Sequence, residues 1–411
     1  MPHVPELFHR PELAEKIARQ VMAVAVGSAA SSGVFLAAPR RTGKSTFVRE
    51  DLRPAFERSG ALVVYSDLWA NPTADPGDVI VAAIRTALGA RDGVVARLAK
   101  AAGISKVAVA GAIHFDLDRV GLGKDVSLTD ALVALSDEIK QVIVLIIDEA
   151  QHAITTDAGI AALFALKAAR DELNSTQHHG LRVVCTGSNR DKLAMLRNSK
   201  DQAFYGAPMV NFPMLGKDFI DWFCEKADLP FQLSPEEVLP VFAEAGYRPE
   251  LLGSAADTVR FNFDLSEETG PDVFVREVRE LAREMNEVQR KVIHSLTPIQ
   301  QVVLRVMAAA GSGYAPFEAA TMELYRKGAR LAGGAEEDAK VDVPNVQQAL
   351  LALQEKKLVW RAARGVYAIE EQTVVDILAA DGLLQGLDGA QDPAPEDPEH
   401  EGGGPAPSTG P

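Results

Sequence analysis

The residues with the most chemistry in their spacing are Pro39-Arg40-Arg41-Thr42-Gly43-Lys44-Ser45-Thr46, which follow the apolar stretch Gly33-Val34-Phe35-Leu36-Ala37 through Ala38. An apolar strand, a turn ending in Gly-Lys-Ser and a helix start together form a loop that cradles phosphates. The NH groups opening a helix have no partner within it, and the helix dipole turns them toward an anion. Gly43 lets the main chain approach without a Cβ in the way. Lys44 reaches the outer phosphates of a nucleotide, and Ser45 offers a hydroxyl oxygen to Mg²⁺. The usual first glycine of such a loop is replaced by Ala38. If that position needs left-handed backbone, alanine there costs roughly 1–2 kcal/mol.

A second stretch completes the chemistry. Gln141-Val142-Ile143-Val144-Leu145-Ile146-Ile147-Asp148-Glu149-Ala150-Gln151 is a run of branched apolar residues ending in two acids. Such a run predicts a strand buried on both faces of a parallel sheet, with its acidic end at the rim. Two adjacent carboxylates in that setting are costly without a cation or donors. Asp148 is therefore expected in the magnesium shell, and Glu149 as the group that polarises an attacking water.

The elements that must position these groups follow in order. Leu7 to Arg10 lead into an amphipathic helix through about Val24. Ala61 to Trp69 is a second buried strand, and Pro76 to Leu88 a helix. Ala101 to Asp130, with shortened alternation and glycines, reads as an inserted hairpin or loop, and a helix from about Ser127 to Lys140 feeds the acidic strand. Ala158 to Leu173 is a helix, and Leu181 to Arg190 a strand with the polar tip Thr186-Gly187-Ser188-Asn189, where Ser188 or Asn189 could meet a terminal phosphate.

From Gly216 the pattern is helical only, over Phe219–Ala227, Pro235–Ala245, Pro249–Phe261 and Val273–His294. Ser234-Pro235-Glu236-Glu237 reads as a capping box with proline at the first helical position. Thr297-Pro298-Ile299-Gln300 is a second capping box, opening helices over Pro298–Ala309, Phe317–Leu331 and Pro344–Lys356. Two short strands, Leu358–Arg361 and Val366–Ile369, then meet at Arg364-Gly365, which is the layout of a winged helix-turn-helix. The expected division is 1–215, 216–291 and 292–387, with a tail over 388–411 that holds six acids and no Lys or Arg and should be disordered.

Length and composition set bounds. The 411 residues allow two to four domains. The formal net charge of −15 excludes a protein whose main work is coating nucleic acid. The two cysteines, Cys185 and Cys224, have no metal or redox spacing, which fits a cytoplasmic location. No apolar run is long enough to span a bilayer, so no membrane role is expected.

Taken together, the phosphate loop, the Asp148-Glu149 strand, the Thr186–Asn189 tip, the Gly246-Tyr247-Arg248-Pro249 turn and the Pro344–Ile369 layout resemble the AAA+-type and STAND-like P-loop ATPases often called the archaeal ATPase family. That family is related to origin-recognition initiators and to the ATPases of transposition systems. The likeness covers about residues 7 to 385. It implies an α/β fold with a P-loop NTPase parallel-sheet core, an α-helical lid and a C-terminal winged helix domain. It implies ATP or ADP bound with Mg²⁺ between core and lid, and hydrolysis that resets a conformational switch. Pro39 to Thr46 carry over as the nucleotide-binding loop, Ser45 and Asp148 as metal residues, Glu149 as the catalytic acid, Asn189 as first sensor and Arg248 as second sensor. An N-terminal Phe-x-Arg segment such as Phe8 to Arg10 would lie against the adenine. Arg190 and Arg197 are both candidates for an arginine finger, which leaves ring assembly open.

Two function classes stay open. One is an ATPase that acts on double-stranded DNA through its winged helix, where Val346, Leu350 and Leu353 form the buried stripe and Asn345, Gln348 and Ala352 face outward. The other is a switch that binds a protein partner or another copy of itself. A P-loop kinase is third, because Glu149 and a C-terminal lid suit water as nucleophile.

Overall fold

The structure is a computed structural model that describes residues 6–23, 29–91, 127–175, 177–198, 200–331, 340–363 and 365–387. The insertion read from Ala101 lies outside the described residues up to 126, as do Arg364 and the acidic tail.

Among the described residues, five parallel strands form the central sheet: β1 Val34–Ala37, β2 Leu62–Asp67, β3 Ile143–Asp148, β4 Leu181–Gly187 and β5 Met209–Asn211. Their order is β2-β3-β4-β1-β5. β4 therefore lies between β1 and β3, and the chain passes from β1 over the places of β4 and β3 to β2 before returning. Ligands of such sheets sit outside the carboxyl ends of the strands where the order reverses. Here those ends carry the phosphate loop, Asp148 and the Thr186 tip. Register fixes their levels, with Leu36 opposite Thr186, Cys185 opposite Ile147 and Asp67 opposite Asp148.

All six residues of β3 are buried, as the continuous apolar run requires. Side chains alternate between two faces. Phe35, Leu145 and Ile147 join one apolar cluster with the helices α4 Pro76–Gly89, α5 Leu128–Ile139 and α6 Asp157–Leu173. Val34, Leu36, Val144 and Ile146 join another, under α1 Pro11–Met22 and the helical stretch after the loop. That stretch runs as α2 Lys44–Phe47, a π turn Val48–Leu52 and α3 Arg53–Arg58. The short α7 Arg190–Ala194 follows β4. The edge strand β5, with three residues, was not expected from the sequence.

Helices α8 Lys217–Lys226, α9 Pro235–Glu244, α10 Pro249–Arg260 and α11 Gly270–His294 share a third cluster. The Ser234 capping box does not form; the Ser234 hydroxyl donates to Glu236 Oε2 at 2.9 Å. The Thr297 box does form, at the start of α12 Pro298–Ala310. With α13 Ala319–Leu331, α14 Val343–Glu355, the antiparallel hairpin β6 Val359–Ala363 and β7 Val366–Ile369, and α15 Gln372–Ala380, it builds the fourth cluster. Three helices followed by a hairpin match the winged layout. No described helix is long and apolar enough to cross a membrane.

The N-terminal segment crosses from the core to the lid helices. The π turn presents Asp51 inward, where it pairs with His9 Nδ1 at 2.7 Å and accepts from the Arg10 amide at 3.0 Å. Phe8 then seats against Phe219 and Trp222, with ring centroids 5.4 and 5.6 Å away.

Candidate active site

The phosphate loop turns on two left-handed residues, Arg41 (φ 63°) and Gly43 (φ 79°). Gly43 is the one place in the loop where glycine relieves backbone strain. Ala38 is absent from the left-handed region, so the missing first glycine carries none of the penalty anticipated for it. Thr42 is buried and its hydroxyl donates to Pro39 O at 2.8 Å. Its side chain shapes the loop rather than facing the cleft.

The cleft beside the loop has a volume of about 340 Å³ and is lined by Pro39, Arg40, Arg41, Gly43, Lys44, Ser45, Thr46, Asp67, Trp69, Asp148 and Glu149. Seven of the eight loop residues expected at a phosphate site therefore face it. Trp69 forms a half-exposed wall, with the Arg40 guanidinium 5.6 Å over its ring and His152 stacked at 4.5 Å.

At the floor, Lys44 Nζ lies 2.5 Å from Asp148 Oδ1, 3.1 Å from Glu149 Oε1 and 3.2 Å from Thr186 Oγ1. Thr186 also donates to Asp148 Oδ1. Tyr65 donates to Asp148 Oδ2 at 3.1 Å. Burial alone would raise the Asp148 pKa; the Lys44 charge and the hydrogen bonds from Lys44, Thr186 and Ser45 override it and push the carboxyl down to about 2. Burial likewise works against the charge on Glu149, but Lys44 and Gln151 hold its pKa below the usual range. Both acids are ionised at neutral pH. Burial pushes the Tyr65 phenol well up, reinforced by the Asp148 charge.

Glu149 sits in left-handed backbone at φ 54°, a conformation that costs a non-glycine residue roughly 1–2 kcal/mol. Its Oε2 accepts from Gln151 Nε2 at 2.6 Å and from Ser188 Oγ at 3.0 Å. Gln151 is fully buried and fills the space beside Gly187, where a Cβ would meet its Oε1 at 2.4 Å.

Two expected site residues stand elsewhere. Asn189 is buried, caps α7 by accepting from the Lys192 amide at 3.0 Å, and donates to Ile369 O at 3.0 Å. Both ends of its amide are used, so Thr186 and Ser188 are the strand-tip residues on the acids. Asn189 is drawn off because it caps the helix that follows β4. Arg248 donates to Thr373 Oγ1 at 2.9 Å and to Met285 Sδ, and lines a separate cavity with Arg290 and Asp376. It joins the lid helices to the winged unit rather than lining the loop cleft. Of the finger candidates, Arg190 donates to Asn211 and Arg197 to Ala207 O. Sequence reasoning missed Tyr65, Trp69, Gln151 and Thr186 as site residues.

A Mg²⁺ ion would find hard oxygen ligands in the Ser45 hydroxyl and the ionised Asp148 carboxylate. Among the described residues no group of three or more His, Cys, Asp or Glu could hold a metal by itself.

No family model matches this sequence, and no curated protein matches it. Solved structures do. The ORC2 protein of Aeropyrum pernix in its ADP form superposes with a TM-score of 0.51 at 16% identity, over 95% of this chain and 98% of that one. The Walker-type ATPase PABY2304 of Pyrococcus abyssi gives a TM-score of 0.47 at 17% identity, over 92% and 99%. The chain, with its parallel sheet and surrounding helices, thus shares the P-loop ATPase fold of that ORC2 protein.

Proposed function

We propose that this protein is a Mg²⁺-dependent ATPase that works as a nucleotide-dependent switch, with a core over 1–215, a lid over 216–291 and a winged unit over 292–387. The observation that carries the reading is the convergence of Lys44, Asp148, Glu149 and Thr186 within about one side chain's reach of a glycine-turned phosphate loop. A buried lysine held by two carboxylates is poised to exchange them for phosphate oxygens, which carry more charge. Lys44 and the loop NH groups would hold the outer phosphates. Ser45 and Asp148 would hold Mg²⁺, which supplies charge neutralisation between the phosphates. Glu149 would orient a water and take its proton as the water oxygen bonds to the γ-phosphorus and the bond to the bridging oxygen breaks. Calorimetry with Mg·ATP tests binding, and Glu149→Gln tests the base. The variant should bind ATP like the parent and turn it over roughly 100-fold or more slowly. Equal steady-state hydrolysis removes Glu149 from the mechanism.

A DNA role for the winged unit is the less favoured half of this reading. The buried stripe of α14 is Val346, Leu350 and Leu353 as expected. Asn345 Nδ2 donates to Lys340 O at 3.1 Å, so one of the two amides suited to adenine edges is engaged. No Lys or Arg lies within α14, and phosphate contacts normally supply much of DNA affinity. A protein partner or a second copy of the chain is favoured by Val343 and Leu351, each 47% exposed on this helix.

A further inference from the structure

Arg40 belongs to the phosphate loop, yet its guanidinium is shared with the winged unit. One end lies 3.3 Å from Glu370 Oε1 and 3.4 Å from Glu371 Oε1. Its Nε donates to Ser188 Oγ at 3.4 Å. Ser188 in turn donates to Glu149. Glu370 also pairs with Lys192 Nζ at 2.9 Å, a lysine that is 1% exposed. Around this pair the hairpin is seated on the core. Trp360 and Ala368 pack on Ile154 and Met195, Lys192 Nζ lies 5.0 Å over the Trp360 ring, and Asn189 bonds to Ile369 O.

A serine hydroxyl has one proton and two acceptor sites. When Arg40 Nε donates to Ser188 Oγ, the serine proton is directed at Glu149 Oε2. Glu149 Oε2 then accepts from Ser188 and Gln151 together, contacts that remain when Lys44 turns to phosphate. A carboxylate oxygen with two donors has its acceptor sites filled and none left to orient a water. If Arg40 turns away, the hydroxyl can rotate and Glu149 loses a donor. Chained hydrogen bonds in a low-dielectric setting strengthen one another, which makes the relay more than the sum of its pairs.

We propose that Arg40 is a positioning residue through which the docked winged unit restrains Glu149, so that releasing Glu370 and Glu371 from Arg40 raises ATP turnover. This rests on the ATPase reading of the site. Glu371 is the place where the relay can be cut without altering the phosphate loop, the acids or the strand tip.

The test uses the full chain. Glu371→Gln should raise kcat roughly threefold to tenfold, with KM for ATP within about twofold of the parent's. It should also speed hydrogen exchange across 358–371 without nucleotide. Ser188→Ala should raise kcat while leaving exchange at the parent rate, because it cuts the relay beyond the docking contacts. Turnover at or below the parent's in Ser188→Ala overturns the restraint on Glu149. Faster exchange without faster turnover in Glu371→Gln overturns the coupling, and unchanged exchange overturns the docking role of Glu371. If the parent fails to bind Mg·ATP, the ATPase reading falls by itself, while exchange in Glu371→Gln still reports whether Arg40 joins the two units.

Discussion

The carboxyl end of the sheet and the outward face of α14 are built on opposite plans. At the sheet end, Lys44, Asp148 and Glu149 are gathered out of water and each has several partners within hydrogen-bond reach. On α14 the outward residues before its last turn are neutral, among them Gln347, Gln348 and Leu351, and the one exposed charge, Glu355 at its end, is acidic. The chain concentrates buried charge where a polyanion with a metal would be handled and omits charge where a helix would meet a duplex. An arrangement of ions inside a protein is costly unless each ion is paired, so its persistence at the sheet end marks the site. A neutral helix face has no such cost and carries little information.

The largest effect expected is at Lys44. Lys44→Ala should abolish ATP binding in calorimetry. It also leaves two buried carboxylates without their cation, and breaking such a pair typically costs about 3–5 kcal/mol. Denaturant titration of the nucleotide-free protein should show that loss. Parent-like ATP affinity in the variant would break the contrast at its stronger side.

Acid sharpens the same contrast. The Asp148 pKa is depressed in the folded protein to about 2, against about 3.9 when unfolded. Its stabilising contribution is thus fully present above about pH 4 and is lost as pH falls toward 2. Unfolding followed between pH 5 and pH 2.5 should show a steeper loss for the parent than for Asp148→Asn, which has no carboxylate to protonate. Equal slopes would mean that the floor of the cleft is solvated.

How far the sequence foretold these two regions differs for the same reason. The phosphate loop and acidic strand are local patterns, so Gly43, Lys44, Ser45, Asp148 and Glu149 could be read residue by residue. The winged layout was legible from helical spacing and the Gly365 turn. Asn189 and Arg248 were assigned to the cleft because their stretches sit at the right place in the chain. Their side chains are instead committed to Ile369 and Thr373, contacts spanning well over a hundred residues, which no local pattern encodes. The strand period held part of the signal, since Thr186 belongs to β4, whereas Ser188 follows the strand's end at Gly187. Tyr65 was hidden differently: it reads as an ordinary apolar position of β2 until the register sets that strand beside β3. At three residues, β5 is too short to show alternation.

At the weaker side of the contrast, a fragment over 292–387 should bind duplex DNA poorly, with useful affinity only from several ATP-loaded full-length copies together. Gel shifts across a salt series decide it. Tight binding by the isolated fragment would show that the neutral face of α14 is no obstacle, and no binding by ATP-loaded full-length protein at low salt would point to a protein partner.

The smallest effect is expected at Ala38, and it separates a loop degraded by substitution from one shaped to its own residues. The residue takes the place of a glycine common in such loops, but it is buried, outside the left-handed region, and packed with Phe47 and Phe212 in the cluster under the loop. Alanine in relaxed backbone restricts the unfolded chain more than glycine does. Ala38→Gly should therefore destabilise the protein by about 0.5–1 kcal/mol and leave ATP affinity where it was. A strained alanine would give the opposite result, with the glycine variant more stable and binding nucleotide more tightly. Thermal unfolding beside calorimetry on the same preparation distinguishes the two, since only relief of strain moves stability and affinity upward together.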